Sequence, residues 1–181
     1  MNSCLVVVDY QNDFVTGSLG FPKAAALEDY LVAQLDGALA RDWDIYLTQD
    51  THEEEDYAQT QEGRRLPIGH CFAGSWGHAL YGKVGAWAVE HEGDYTLVEK
   101  PQFGSTRLAH LMGARGYDEI RLMGVVTNIC VLSNAVLIKA MLPEARITID
   151  AAGCASNDDR LHEETLDVLA GLQMDVLNRE G

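Results

Sequence analysis

The sequence predicts an α/β fold: a three-layer, doubly wound, mostly parallel sheet of about six strands in the order 3-2-1-4-5-6, with helices on both faces. Three observations carry that expectation. Apolar runs without alternation, Cys4–Val8 and Ile120–Val126, have the pattern of strands buried on both faces. Strand-like and helix-like segments alternate along the chain, as they do when parallel strands are joined by helical crossovers. Acids, a lysine and a cysteine stand just past these strands, where open α/β sheets place their ligand groups.

The first strand, Cys4–Val8, ends at Asp9, which reads either as a ligand-facing carboxylate or as a turn acid. A polar loop over residues 10–20 holds Phe14. Lys23–Ala40 carries Leu27, Leu31, Leu35 and Leu39 at intervals that predict an amphipathic helix. Asp44–Gln49 is the second strand, and Asp50 and His52 follow it. In extended chain, residues two apart point the same way, so Asp50 and His52 can face one point. Glu53–Asp56 reads as a solvated acidic run. The irregular stretch 57–74 carries Glu62 and His70, and loops of that length in compact domains are usually functional. Trp76–Tyr81 is expected as a short helical piece. Tyr95–Glu99 is the third strand, with Lys100 at its end before Pro101. Next come a helix at Thr106–Ala114, the strand Ile120–Val126 and a helix at Asn128–Met141. A fifth strand, Ile147–Ile149, ends at Asp150. Asp159–Ala170 is a helix whose start carries several acids, as its dipole favours. Met174–Leu177 is a last strand. With no repeat, low-complexity tract or linker, one domain over residues 1–181 is expected.

Charge narrows the partners. Asp and Glu number 28 against 13 Lys and Arg, a net charge of -15 that repels nucleic acid and anionic membranes and suits a small-molecule substrate. The four cysteines form no CxxC pair, the start of the chain lacks a basic region followed by an apolar signal core, and no apolar run is long enough to span a bilayer. Free thiols in a reducing cytoplasm are the simplest expectation.

Gly124–Val131 is the segment on which the chemistry turns. A buried strand meets Thr127 and Asn128, both good N-cap types, and Cys130 falls in the first turn of the following helix. The free N–H groups and dipole there are expected to lower the thiol pKa and to favour an oxyanion. A buried structural cysteine is the other reading of the same position. Asp9 and Cys130 flank the switch point of the expected sheet, and an acid and Lys100 near a thiol make a nucleophile with a proton acceptor and a countercharge. Asp50, His52, Glu62 and His70 form a mixed N/O set suited to zinc, manganese or iron, with Gln61 or Glu53–Glu55 as alternatives to Glu62. Absence of G-x-S-x-G, P-loop and G-x-G-x-x-G patterns leaves serine hydrolase, NTPase and dinucleotide readings without support.

Together, Val6–Phe14, Thr48–His52, Leu66–Cys71, Lys100–Ser105 and Gly124–Val131 resemble the isochorismatase-like cysteine hydrolase family, and within it the nicotinamidase branch. The resemblance runs over nearly the whole chain. It implies a thiol amidase with the triad Asp9, Lys100 and Cys130. It also implies a cis Val125–Val126 peptide that aims the Val126 N–H, with that of Cys130, at the oxyanion. A divalent ion, zinc first and manganese or iron otherwise, would sit on Asp50, His52, Glu62 and His70 and position the substrate ring. Phe14, Trp76 and Val125 would form the pocket. The implied reaction is hydrolysis of nicotinamide to nicotinate and ammonia, placing the chain in NAD salvage, and a homo-oligomer is implied as well. Pro67 stands where nicotinamidases often carry tryptophan, and a third metal histidine found in some members has no counterpart; Glu62 resembles the glutamate that replaces it. Hydrolysis of another small amide or an N-carbamoyl compound, and a non-catalytic redox or binding relative, are the alternatives. The isochorismate-cleaving branch lacks the cysteine.

Overall fold

A computed structural model describes residues 2–179. Among them, six strands form one parallel sheet: β1 (Ser3–Val8), β2 (Asp44–Asp50), β3 (Thr96–Lys100), β4 (Glu119–Val125), β5 (Arg146–Ala155) and β6 (Asp175–Leu177). Their order is β3-β2-β1-β4-β5-β6, so the sequence of windings reverses between β1 and β4, as expected. Every residue of β1 is buried, because the strand is central and covered on both faces.

Gly124 fits the close approach of β4 to β1. Its φ is +121°, and a Cβ there would lie 2.2 Å from the Val8 carbonyl oxygen. Side chains are excluded by both backbone and contact. The register of β4 on β5 shifts between Leu122 and Gly124, just before the chain leaves the sheet toward Cys130.

Helices cover the sheet where the leucine spacing predicts, with changes at the ends. Two short turns, α1 (Asn12–Val15) and α2 (Pro22–Ala25), precede α3 (Glu28–Leu39). The expected single helix from Lys23 is interrupted at Ala26–Leu27, where the Leu27 amide bonds back only to Ala24 O. Leu31, Leu35 and Ala38 are the buried stripe of α3. The long loop after β2 contains α4 (Glu54–Tyr57) and α5 (Gln61–Arg65).

The structure moves two sequence assignments. Trp76–Tyr81 is not the helix; α6 (Gly82–Glu90) starts where that piece ends. Two glycines weaken its helical propensity, and it is held instead by Val84, Trp87 and Ala88 in the core and by Trp87 Nε1 donating to Asp36 Oδ1 at 2.8 Å. Strand β5 does not stop at Asp150 but runs to Ala155, because Cys154 and Ala155 pair with Gly124 and Val125. Asp150 is thereby inside a strand, accepting from Tyr30 Oη at 3.0 Å and Asn178 Nδ2 at 2.9 Å. The remaining helices are α7 (Thr106–Arg115), α8 (Leu132–Met141) and α9 (Asp159–Gly171). Between β4 and α8 the chain makes one wide π-type turn, Thr127–Val131.

Candidate active site

Asp9, Lys100 and Cys130 meet at the carboxyl ends of β1, β3 and β4. The Lys100 ammonium lies 2.6 Å from Asp9 Oδ2, 3.5 Å from Asp50 Oδ1 and 3.7 Å from Cys130 Sγ, and it donates to Gln102 O at 3.0 Å. All three residues are buried, Asp9 and Lys100 at no more than 1% exposure. Asp9 leaves β1 with a φ of +48°, and Thr48 on β2 holds it. The Thr48 hydroxyl donates to Asp9 Oδ1 at 2.6 Å and accepts from the Asp9 amide at 3.1 Å.

Burial raises the Asp9 carboxyl above its ordinary range and outweighs the opposing pull of Lys100. Burial alone would neutralise Lys100, but Asp9, Cys130 and Asp50 together keep it charged, well above the usual lysine value. The thiol departs from the sequence expectation. Burial and the Asp9 charge push Cys130 well above a free cysteine, and Lys100 only partly opposes them. A helix start lowers a thiol pKa where little else acts on it; here desolvation and a carboxylate dominate.

The expected caps of the turn do other work. Thr127 Oγ1 lies 2.9 Å from His162 Nδ1, and Asn128 Oδ1 accepts from Ser156 Oγ at 2.7 Å. Val125–Val126 is a cis peptide.

Next to the triad, Asp50, His52, Glu62 and His70 converge, with one ligand atom from each lying within 4.8 Å of the others. His52 Nε2 is 3.0 Å from Asp50 Oδ2 and 3.8 Å from Glu62 Oε1; His70 Nε2 is 3.4 and 3.5 Å from the same two atoms. His70 Nδ1 is 2.9 Å from the Ile68 carbonyl, so its proton belongs there and leaves Nε2 free to ligate. Glu62 Oε2 is buried with no hydrogen-bond partner. Two carboxylates and two imidazoles, buried with an unpaired oxygen, form a donor set that fits a divalent cation.

Several side chains that the sequence does not single out hold this group. Gln11 pins the end of β2, accepting from the Asp50 amide at 2.7 Å and donating to Asp50 O and His78 O. Asp13 Oδ2 accepts from the Cys71 amide at 2.7 Å, and Cys71 O and Ala73 N pair with the His52 backbone, so the His70 loop lies against His52. Thr60 caps α5 and sets Glu62 in its first turn. Tyr57 packs against both imidazoles, at ring distances of 5.1 and 5.3 Å, and donates to Leu66 O. Sequence spacing signals only Thr48, two residues before Asp50 on one strand face.

The cavity of about 200 Å³ above these groups is lined by Phe14, Leu19, Phe21, Leu66, Phe103 and Ile129, with Cys130, Val126, Asn157 and three of the four candidate ligands. Residues 3–180 match the isochorismatase domain. The chain belongs to the isochorismatase family. A Bacillus subtilis relative, described as an uncharacterized isochorismatase family protein PncA, is 33% identical over 144 residues, 75% of this chain and 78% of its own length. The nicotinamidase/pyrazinamidase of Mycobacterium tuberculosis is 28% identical over 146 residues, 72% of this chain and 75% of its own. The crystal structure of a nicotinamidase/pyrazinamidase PncA from Bacillus subtilis superposes with a TM-score of 0.87 at 26% identity, over 97% of this chain and 99% of that one.

The structure brings Asp9, Lys100 and Cys130 together with Asp50, His52, Glu62 and His70 beside them, and it places Trp76 and Val125 outside the cavity. Trp76 is 63% exposed and does not line the cavity; its backbone carbonyl is what the site uses, accepting from Asn12 Nδ2. Val125 faces the core as the last residue of β4, and Val126 lines the cavity in its place. Phe14 does line it, 5.6 Å from the His70 ring.

Proposed function

We propose that this chain hydrolyses a neutral small-molecule carboxamide, nicotinamide to nicotinate and ammonia being the first candidate, through a Cys130 thioester. The observation that carries the reading is the buried contact set around the Lys100 ammonium, 2.6 Å to Asp9 and 3.7 Å to the Cys130 thiol, with Cys130 itself lining a mainly apolar cavity. The relatives named nicotinamidase support the reaction class.

In this mechanism Asp9, its basicity raised by burial, takes the Cys130 proton as Sγ attacks the amide carbon. The Val126 and Cys130 N–H groups donate to the developing oxyanion. Asp9 returns the proton to the leaving nitrogen, and ammonia departs with cleavage of the C–N bond. Asp9 then takes a proton from water, whose oxygen attacks the thioester; the acid leaves and the thiol is restored. Lys100 stays charged throughout and offsets the negative charge that moves between Asp9 and sulfur.

Asp50, His52, Glu62 and His70 would hold a divalent ion, zinc first and manganese or iron otherwise, which when bound would supply a Lewis-acidic anchor for a lone pair on the substrate ring. Phe14 would pack on that ring. Cytoplasmic NAD salvage and self-association complete the proposal from the resemblance; among the described residues no helix is long and apolar enough to cross a membrane.

The test is ammonia release from nicotinamide by the purified protein, alongside Cys130→Ala and a chelator-treated sample. Turnover by the wild type alone supports the reading. Intact, metal-loaded protein that leaves nicotinamide untouched overturns the substrate, and equal turnover by Cys130→Ala overturns the mechanism.

A further inference from the structure

We propose that Asn134 is a positioning residue that ties the loop after Lys100 to the turn carrying Cys130, and so sets the spacing of ammonium and thiol. Asn134 lies in α8, four residues past the cysteine, and is fully buried. Its Nδ2 donates to Cys130 O at 2.8 Å and to Phe103 O at 3.1 Å, while its Oδ1 accepts from the Ser105 amide at 2.9 Å. Both amide hydrogens and the oxygen are therefore used, on two separate chain segments. Asparagine is unfavourable inside a helix because it competes for backbone groups, so its place here follows from what it binds.

The loop it grips is part of the triad. Lys100 Nζ donates to Gln102 O at 3.0 Å, Phe103 lines the cavity, and Ser105 caps α7 by accepting from the Leu108 amide at 3.0 Å. Gly104 between them lies directly on α8: a Cβ there would stand 2.7 Å from Leu137 Cδ1 and 3.2 Å from Ser133 Cβ. The loop that orients the ammonium is thus seated on the helix that begins just after the thiol, and Asn134 is the hydrogen-bonded joint. A serine at this position reaches only the carbonyl four residues back, not the loop. The inference rests on the amidase reading for its catalytic meaning.

The experiment compares wild type with Asn134→Leu, Asn134→Ser and Gly104→Ala, measuring kcat and KM on nicotinamide, metal content, and the rate of Cys130 alkylation by iodoacetamide. Misplacing a catalytic group by about 1 Å costs on the order of 100-fold in rate, and a partial shift is expected here. Asn134→Leu and Asn134→Ser should lose about tenfold or more in kcat with KM within about threefold and metal content unchanged. Gly104→Ala, which lifts the loop without touching Asn134, should move kcat the same way by less. Alkylation should slow in parallel, since an ammonium drawn away from sulfur stabilises the thiolate less. Alkylation can be read on a protein that hydrolyses no nicotinamide, so failure of the substrate reading is separable from failure of this one. Wild-type kcat and alkylation in Asn134→Ser, where the bond within the helix survives and the loop is untied, overturn the proposal. A rise in KM with kcat intact overturns it too. Should Asn134→Leu not fold, Asn134→Ser and Gly104→Ala decide by the same criteria.

Discussion

The triad and the candidate metal group meet where Lys100 lies 3.5 Å from Asp50, yet they are built differently. Lys100 is the last residue of β3, paired with Asp50 of β2, and Asp9 follows β1 directly, its amide and carboxylate held by the Thr48 hydroxyl of β2, so the sheet fixes both positions. Glu62 and His70 belong to the stretch between β2 and α6, and they reach Asp50 only because Thr60, Tyr57, Asp13 and the His52 backbone fasten that stretch. One half of the site inherits its geometry from the fold; the other assembles it from side chain-to-backbone bonds. Damage to the first should therefore show in chemistry and in global stability, and damage to the second in metal affinity.

The largest effect belongs to the sheet-borne half. Cys130→Ala should reduce amide turnover by about 10⁴-fold or more while metal content stays as in the wild type; ammonia release and metal analysis on one preparation check both. Retained turnover would remove the thiol from the mechanism. Next is Lys100→Met, which leaves Asp9 buried without its cation. A loss of about 3–5 kcal/mol is expected from breaking such a pair, read as a lower urea midpoint at unchanged slope. A smaller shift would mean that the carboxylate finds compensation elsewhere.

On the loop-borne side, Glu62→Gln should weaken divalent-ion binding by at least the roughly tenfold typical of removing a residue that merely orients a ligand. Thermal stability of the metal-free protein should change little, and titration calorimetry with zinc measures the first part. The metal-free group also predicts a pH dependence. Burial lowers the His70 pKa, but hydrogen bonds to Asp50, Glu62 and the Ile68 carbonyl outweigh it and push it up to about 10. Because that value lies above the ordinary 6.5, protonated His70 contributes stability that is full below about pH 6.5 and lost as pH rises toward 10. A bound ion must displace that proton, so metal affinity should fall as pH is lowered from 8 to 6, and a flat profile would take His70 out of the ligand set. The smallest effect is Trp76→Ala. With its ring exposed and outside the cavity, KM should stay within about twofold, and a large rise would mean that the ring folds over the substrate on binding.

The same division explains what could be read in advance. A strand buried on both faces announces itself by an unbroken apolar run, and the residue that ends the run is at once a candidate for the ligand crevice; Asp9 is legible for that reason, while Asp50 and Lys100 are legible as polar residues that end shorter strand-like segments. Glu62 was legible only as one of several acids, since no periodicity relates a loop residue to a strand end. Phe14 has an aromatic side chain on a short turn after β1 and lines the cavity, whereas Trp76 offered the same residue type and lies outside it. Residue type tells what can line a pocket, and only the path of the backbone tells what does.

The sequence by itself determined the alternation of strands and helices that makes a parallel sheet, the strand-end placement of Asp9 and Lys100 and the chemical character of the four ligand candidates. These follow from local pattern, because apolar runs, helical spacing and residue type are properties of neighbours along the chain. The tertiary structure decided that β5 extends past Asp150, that Gln11 and Asp13 fasten the chain around the candidate ligands, and that burial and the Asp9 charge push the Cys130 thiol up rather than down. Each of those depends on groups distant in sequence becoming near in space, where burial and a facing charge outweigh what a helix start alone would do.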